Sequence, residues 1–368
     1  MRADYVMVGG FLGAGKTTAL LRLAEHLTAQ GRRVGLITND QSHGLVDTAL
    51  VEAHGYPVQE ITGGCFCCRF DSLTAAAERL TEDSRPDVFL AEPVGSCTDL
   101  RASVQYPLRR LYGENYRIAP LSVLVDPIRA LRVLRVEPGR AFSSKVLYVY
   151  AKQLEEAELI IINKSDLLDN ERRRRLEDAL CATYPAAELL TVSARDGTGL
   201  DRWFARVAGV EADARPAPQI DYDTYADGES LLGWFNATVS LNAPTPFDGN
   251  HLLLAVARRV RQELDARDME IAHLKMTLAP NGEGGDIGAL NLVATDRDPE
   301  ISHLLQDDIE GGELIVNLRA EGEPDVLRDV VNEALTAASA AFGAAARIVH
   351  VEHFRPARPN PTYRFATV

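Results

Sequence analysis

The chain has 368 residues, enough for two domains, and its 46% hydrophobic and 25% charged residues make an ordinary globular balance. Lys and Arg number 39 against 53 Asp and Glu, and the resulting charge of −14 repels phosphate backbones and argues against a nucleic-acid partner. No apolar run approaches the ~20 residues that span a bilayer, and Tyr5–Val8 runs into a glycine-rich loop without the shape of a signal peptide. The expectation is a cytoplasmic protein with no membrane partner.

Over residues 1–210 apolar strands alternate with helical patterns. Tyr5–Val8, Arg33–Thr38, Val88–Ala91, Leu121–Val125 and Leu159–Asn163 read as buried strands, and Thr17–Gln30 and Asp169–Thr183 as helices. This alternation predicts an α/β domain, a mostly parallel sheet with helices on both faces. Residues 211–230 lack an apolar period and read as a linker. In 231–354 the predicted elements are a strand at Trp234–Asn242, a helix at His251–Ala266 and strands near Glu270–Leu278, Ala289–Ala294 and Glu313–Leu318. A helix at Asp325–Phe342 and a strand at Arg347–His353 follow. The order β-α-β-β-β-α-β predicts a smaller α+β domain on the ferredoxin-like plan, with Trp234 and Phe235 in its core. Residues 355–368, with three prolines, read as an extended tail.

Gly10-Phe11-Leu12-Gly13-Ala14-Gly15-Lys16-Thr17 fits GxxxxGK[ST] directly after a strand and before a helix. Glycines let backbone N–H groups wrap phosphates, and the helix adds its positive end. Gly10, Gly13, Ala14, Gly15, Lys16, Thr17 and Thr18 are therefore candidate phosphate-binding residues. Lys16 is the expected catalytic charge at the β- and γ-phosphates, and Thr17 a ligand of Mg²⁺.

Asn163-Lys164-Ser165-Asp166 closes a strand and resembles the NKxD element of GTPases. A carboxylate at Asp166 can accept two guanine N–H groups, a pair adenine does not offer, so GTP and GDP are expected over ATP. Asn163 would hold the loop, the Lys164 stem would cover the base, and Ser193 and Ala194 would support it from a second strand end. Glu92-Pro93-Val94-Gly95 suits an acidic Mg²⁺ element, with Glu92 acting through water and the Gly95 N–H facing the γ-phosphate. Asp40 is a candidate contact to Mg²⁺ or the attacking water, although a strand-end Asp also serves as a simple cap. The rival nucleotide reading is a P-loop kinase or ATPase.

Three of the five cysteines, Cys65, Cys67 and Cys68, lie within four residues after Gly63-Gly64. Thiols at this spacing cannot converge from a straight strand, and the glycine pair permits the turn that would join them. Three thiolates suit Zn²⁺, Cu(I) or Co²⁺ and leave a fourth position for water, a side chain or a partner, for which His43, His54 and Glu60 are local candidates. A redox pair and buried structural thiols are the alternatives.

GGFLGAGKTT, GGCFCC, EPVG and NKSD in this order resemble the CobW-type GTPases, relatives of the UreG and HypB metallochaperones. The resemblance covers the first ~210 residues and implies GTP-dependent handling of zinc, cobalt or iron for a client metalloenzyme. It also implies a second α+β domain and allows a GTP-dependent homodimer. Asn39-Asp40-Gln41-Ser42-His43-Gly44 departs from the glutamates usual there. The rival of a different class is a redox- or metal-sensing regulatory GTP-binding protein.

Overall fold

The computed structural model describes residues 2–39, 46, 51, 54–282 and 286–367. It divides into two compact units, one of Met1–His43, His54–Gly228 and Arg358–Val368, the other of Gly44–Ala53 and Glu229–Ala357. Asp40 and His43 lie outside the described residues.

In the first unit β1 (Ala3–Gly10), β2 (Val34–Asn39), β3 (Val58–Ile61), β4 (Val88–Glu92), β5 (Tyr116–Ile118), β6 (Ser122–Val125), β7 (Leu159–Ile162) and β8 (Glu188–Thr191) form one sheet. Its order is β3-β2-β4-β1-β6-β7-β8, with β5 beside the first half of β1, and every pairing is parallel. The helices are α1 (Lys16–Ala29), α2 (Phe70–Asp83), α3 (Tyr106–Tyr112), α4 (Pro127–Val133), α5 (Ser144–Glu156), α6 (Asn170–Thr183), α7 (Leu200–Val207) and α8 (Tyr222–Leu231), whose residues from Glu229 on are assigned to the other unit. A sheet covered on both faces needs strands apolar on both sides, which is why β1, β2, β4, β6 and β7 read as continuous apolar runs and are buried throughout or nearly so. β3 is a half-polar four-residue strand, and this hides it from a search for apolar runs.

The chain leaves β1 for β2 on one side and later returns to β6 on the other, so the carboxyl end of β1 lies where the strand order reverses. Ligands of open α/β sheets gather at that crevice. The expected α/β fold is thus present. Within the stretch read as linker, Tyr222–Leu231 is a helix, because Asp221 caps it by accepting from Asp223 N at 3.0 Å and Thr224 N at 3.3 Å. Its single glycine, Gly228, suppresses the helical signal.

The second unit carries β9 (Leu232–Phe247), α9 (Gly249–Ala266), β10 (Ile271–Pro280), β11 (Gly288–Leu292), β12 (Glu300–His303), β13 (Ile309–Glu321), α10 (Pro324–Ala341) and β14 (Ala345–Phe354). The antiparallel sheet runs β12-β11-β10-β13-β9-β14. The four strands β10-β13-β9-β14 and the two helices follow the ferredoxin-like plan, and β11 and β12, the second of them absent from the sequence reading, extend its β10 edge. The core lies between the sheet and both helices, with Leu253, Val256, Leu274, Val316, Leu327 and Val331 fully buried. Trp234 and Phe235 are both buried on β9, and the Arg319 guanidinium lies 3.8 Å above the Trp234 ring. Among the described residues no helix is long and apolar enough to cross a membrane. Leu274→Ala, which empties a fully buried position on the central β10, should cost about 2–5 kcal/mol, read as a lower midpoint in urea unfolding.

Candidate nucleotide and metal site

β1 ends at Gly10, and the chain turns through Phe11–Gly15 into α1. Gly13 and Gly15 sit at φ 79° and 86°, left-handed steps of the kind that build amide-lined anion cradles. A Cβ on Gly15 would lie 2.6 Å from Asn163 Nδ2, so only glycine allows the next loop this close. Lys16 and Thr17, both buried, open α1, while the Thr18 side chain is exposed. The Thr17 hydroxyl donates to Glu92 Oε1 at 3.1 Å, and Lys16 Nζ lies 3.9 Å from the same oxygen. A hydroxyl beside a carboxylate is a hard-oxygen pair, which fits Mg²⁺. Gly95 abuts this loop, since a Cβ there would come 3.1 Å from Leu12 N. Gln153, buried on α5, donates to Gly95 O at 2.9 Å and Cys97 O at 2.8 Å and so fixes the turn after β4.

The segment after β7 meets the same loop. Asn163 Nδ2 donates to Ala14 O at 2.9 Å, and its Oδ1 accepts from Ala194 N at 3.0 Å. Lys164, at φ 54°, donates to Gly13 O at 2.7 Å and pairs with Asp126 Oδ2 at 2.9 Å. Asp166, about one-fifth exposed, accepts from the Ser193 hydroxyl at 2.7 Å and lies 3.6 Å from Arg195 Nη1. The residues predicted around the P-loop, Asn163 and Ser193 are therefore brought together.

Sequence reasoning missed Asp126 and Arg129. Their signal was an Asp-Pro pair at the end of a strand, with Pro at the first position of the next helix. Asp126 caps α4 through Ile128 N and Arg129 N, at 3.1 and 3.0 Å. Arg129 donates to Leu12 O at 2.6 Å and stacks over the Phe11 and Phe142 rings. Burial alone pushes the Asp126 carboxyl up, but the charges of Lys164 and Arg129, with the Arg129 amide, bring it down to about 2. A depressed carboxyl stabilises the fold above its unfolded pKa of about 3.9, and that stability is lost as pH falls towards the folded value. Asp126→Asn keeps a cap acceptor but removes the charge, and should cost about 2–3 kcal/mol at pH 7. In urea unfolding the gap to wild type should stay level from about pH 5 to 8 and halve near pH 3.

The cysteine loop follows β3. Gly63 turns at φ 74° and Gly64 at φ 154°, and Cys68 N and Arg69 N then both donate to Cys65 O, at 3.0 and 2.9 Å. The Asn39 amide donates to Ile61 O at 3.0 Å and Gly64 O at 2.7 Å, and its oxygen accepts from Phe66 N at 2.9 Å. The sulfur separations are 2.9 Å for Cys65–Cys67, 3.2 Å for Cys65–Cys68 and 3.6 Å for Cys67–Cys68. Hydrogen bonds shared with Cys67 and then Cys68 bring the Cys65 thiol well below its usual value, and the bond to Cys65 raises Cys68 to about 11. A tetrahedral ion bound by sulfur at about 2.3 Å holds its ligands about 3.8 Å apart, so loading opens this triangle by less than about 1 Å. Neither His54 nor Glu60 joins the group of ligand atoms, which lie within 4.8 Å of one another. The buried Cys97, from the turn after β4, adds a thiol hydrogen bond to Cys65 but stands outside that group.

A family model described as the CobW/HypB/UreG nucleotide-binding domain matches residues 4–191. The zinc chaperone CobW of Sinorhizobium sp is 28% identical over 192 residues, 47% of this chain and 53% of the relative. The zinc chaperone YeiR of Escherichia coli (strain K12) is 27% identical over 172 residues, 46% of this chain and 49% of the relative. The chain thus spans about half the length of the curated relatives it matches. The solved Zn(II)-bound YjiA GTPase from E. coli covers 93% of this chain and 99% of its own, at 17% identity and a TM-score of 0.36. With the family model covering residues 4–191 of 368, the chain belongs to the CobW/HypB/UreG nucleotide-binding domain family.

Proposed function

We propose that this chain binds and hydrolyses GTP and uses its nucleotide state to hold and hand over a transition metal, as a cytoplasmic metallochaperone for a client metalloenzyme. The observation that carries the reading is the closed triangle of Cys65, Cys67 and Cys68 sulfurs, built into the unit that also holds the P-loop. Thiolates and the zinc chaperones among its relatives favour Zn²⁺ as the cargo, with Co²⁺ and Fe²⁺ as the other soft-tolerant ions.

In this reading Gly10, Gly13, Ala14, Gly15 and Thr18 line the phosphates, and Lys16 meets the charge that develops on them. Thr17 and Glu92 would hold Mg²⁺, and Asp40 would serve Mg²⁺ or the attacking water. Bound Mg²⁺ supplies charge neutralisation between the phosphates. Asp166 reads the guanine edge, while Asn163, Ser193 and Ala194 fix its loop and the Lys164 stem covers the base. Gly95 senses the γ-phosphate through its N–H, and the cysteine loop responds. No Gln or arginine finger is identifiable in the sequence, so intrinsic turnover is about 10⁻² s⁻¹ or slower, and a GTP-dependent homodimer is one way to complete the site.

Two substitutions test separate halves. Asp166→Ala should lower the preference for GTP over ATP by about 10²-fold or more in competition binding, because the guanine N–H pair loses its acceptor. An unchanged preference would sink the base assignment. In the reduced protein, Co²⁺ should give a thiolate-to-metal charge-transfer band that Cys65→Ser removes. A disulfide that forms without metal and alters GTP turnover would instead favour a redox sensor.

A further inference from the structure

Residues 358–367 lie in the first unit although they follow the whole second unit in sequence. Pro359 and Pro361 stiffen the segment around Asn360, so little chain freedom is lost when it docks. Asn360 N–H donates to Cys68 Sγ at 3.2 Å, and Thr362 donates from its amide to Cys67 O at 2.9 Å and from its hydroxyl to Cys68 O at 3.4 Å. Tyr363 packs edge-on against Phe70, the residue that opens α2 behind the cysteines.

Two residues further on, the same segment grips the turn after β4. Arg364 Nε donates to Asp99 Oδ2 at 2.8 Å, and its Nη2 to Pro218 O at 3.2 Å. Asp99 is 1% exposed, sits at φ 66°, and also accepts from the Tyr222 hydroxyl at 2.6 Å. Phe365 N donates to Ala102 O at 2.9 Å, and the Arg110 guanidinium lies over the Phe365 ring. One short segment is thus bonded to the Cys68 sulfur at one end and, four residues later, to the loop that follows Glu92 and contains Gly95.

We propose that residues 358–367 are a strap that positions Cys68 and couples the metal site to the nucleotide-sensing turn, with Asn360 and Arg364 as positioning residues. The inference rests on the metal-switch reading above. Arg364 acts through Asp99, so a shift of the turn at Gly95 moves the strap, and the strap moves the hydrogen bonds on Cys67 and Cys68. Coupling of this kind is a ratio of metal affinities between two nucleotide states, and it is lost when the link is cut without loss of either site.

The test is Co²⁺ titration of the reduced full chain, with Mg²⁺ and either a non-hydrolysable GTP analogue or GDP, read by the charge-transfer band. Arg364→Ala should keep the band and the nucleotide affinity but bring the ratio of Co²⁺ affinities to within about twofold of unity. Arg364→Lys, which keeps the charge and loses the forked donors, should restore part of the ratio; it also serves if Arg364→Ala melts too early to titrate. Asn360→Pro removes the N–H at Cys68 and should weaken Co²⁺ about tenfold in both nucleotide states, as loss of a hydrogen bond to a ligand does in other metal sites. A wild-type ratio well above unity that survives Arg364→Ala unchanged overturns the strap alone. A wild-type protein with no thiolate band, or with a ratio of one, overturns the metal switch and the strap with it.

Discussion

The strands of a parallel sheet end in loops whose backbone groups must find partners, and here two buried asparagine side chains supply them on either side of β1. Asn163, after β7, joins the Ala14 carbonyl to the Ala194 amide, so the P-loop and the two loops around Asp166 share one anchor. Asn39, at the end of β2, pairs with two carbonyls and an amide of the cysteine loop. A carboxamide can donate and accept at once, which a carboxylate or an aliphatic side chain of that size cannot. Gly15 must then lack a Cβ because Asn163 stands where it would be.

Charge is organised on the same principle of local pairing. The chain is acidic overall, yet the loops around β1 bring Lys16, Lys164 and Arg129 together with Glu92 and Asp126. Lys164 and Arg129 both bond P-loop carbonyls, and Asp126 holds both of them electrostatically. The result is a cradle whose shape does not depend on the net field of the molecule. The cysteines follow a different logic, since the hydrogen bonds they share with one another bring the Cys65 thiol well below its usual value.

The sequence made the P-loop, the Asp166 loop, the cysteine cluster and the ferredoxin-like order of the second unit legible because each has a short-range signature. Glycines at left-handed positions, an acid after an apolar strand and a two-fold or 3.6-fold period are all visible within a few residues. Asp126, Gln153 and Asn39 were not legible as site residues, because each acts on a loop distant in sequence through a contact that no local pattern encodes. The 358–367 segment shows the same limit more sharply. Its prolines marked it as extended, but nothing in its composition points to Cys68 or Asp99. Short half-polar strands such as β3 and β12 escaped for the opposite reason, their periods being too brief to register.

The order of the chain has a consequence for how the protein is made. Asn360 reaches Cys68 across 292 residues of sequence, and the second unit lies between them. At about 5–20 residues per second, the ribosome needs about 15–60 s to pass from one to the other. Through that interval the P-loop sheet can collapse from contacts close in sequence, whereas the outer hydrogen bonds of the cysteine loop wait for the last segment of the unit. The newborn domain therefore spends most of its synthesis with three thiols unstrapped and open to whatever metal or oxidant it meets, and the site reaches its finished form only as the unit's final residues emerge.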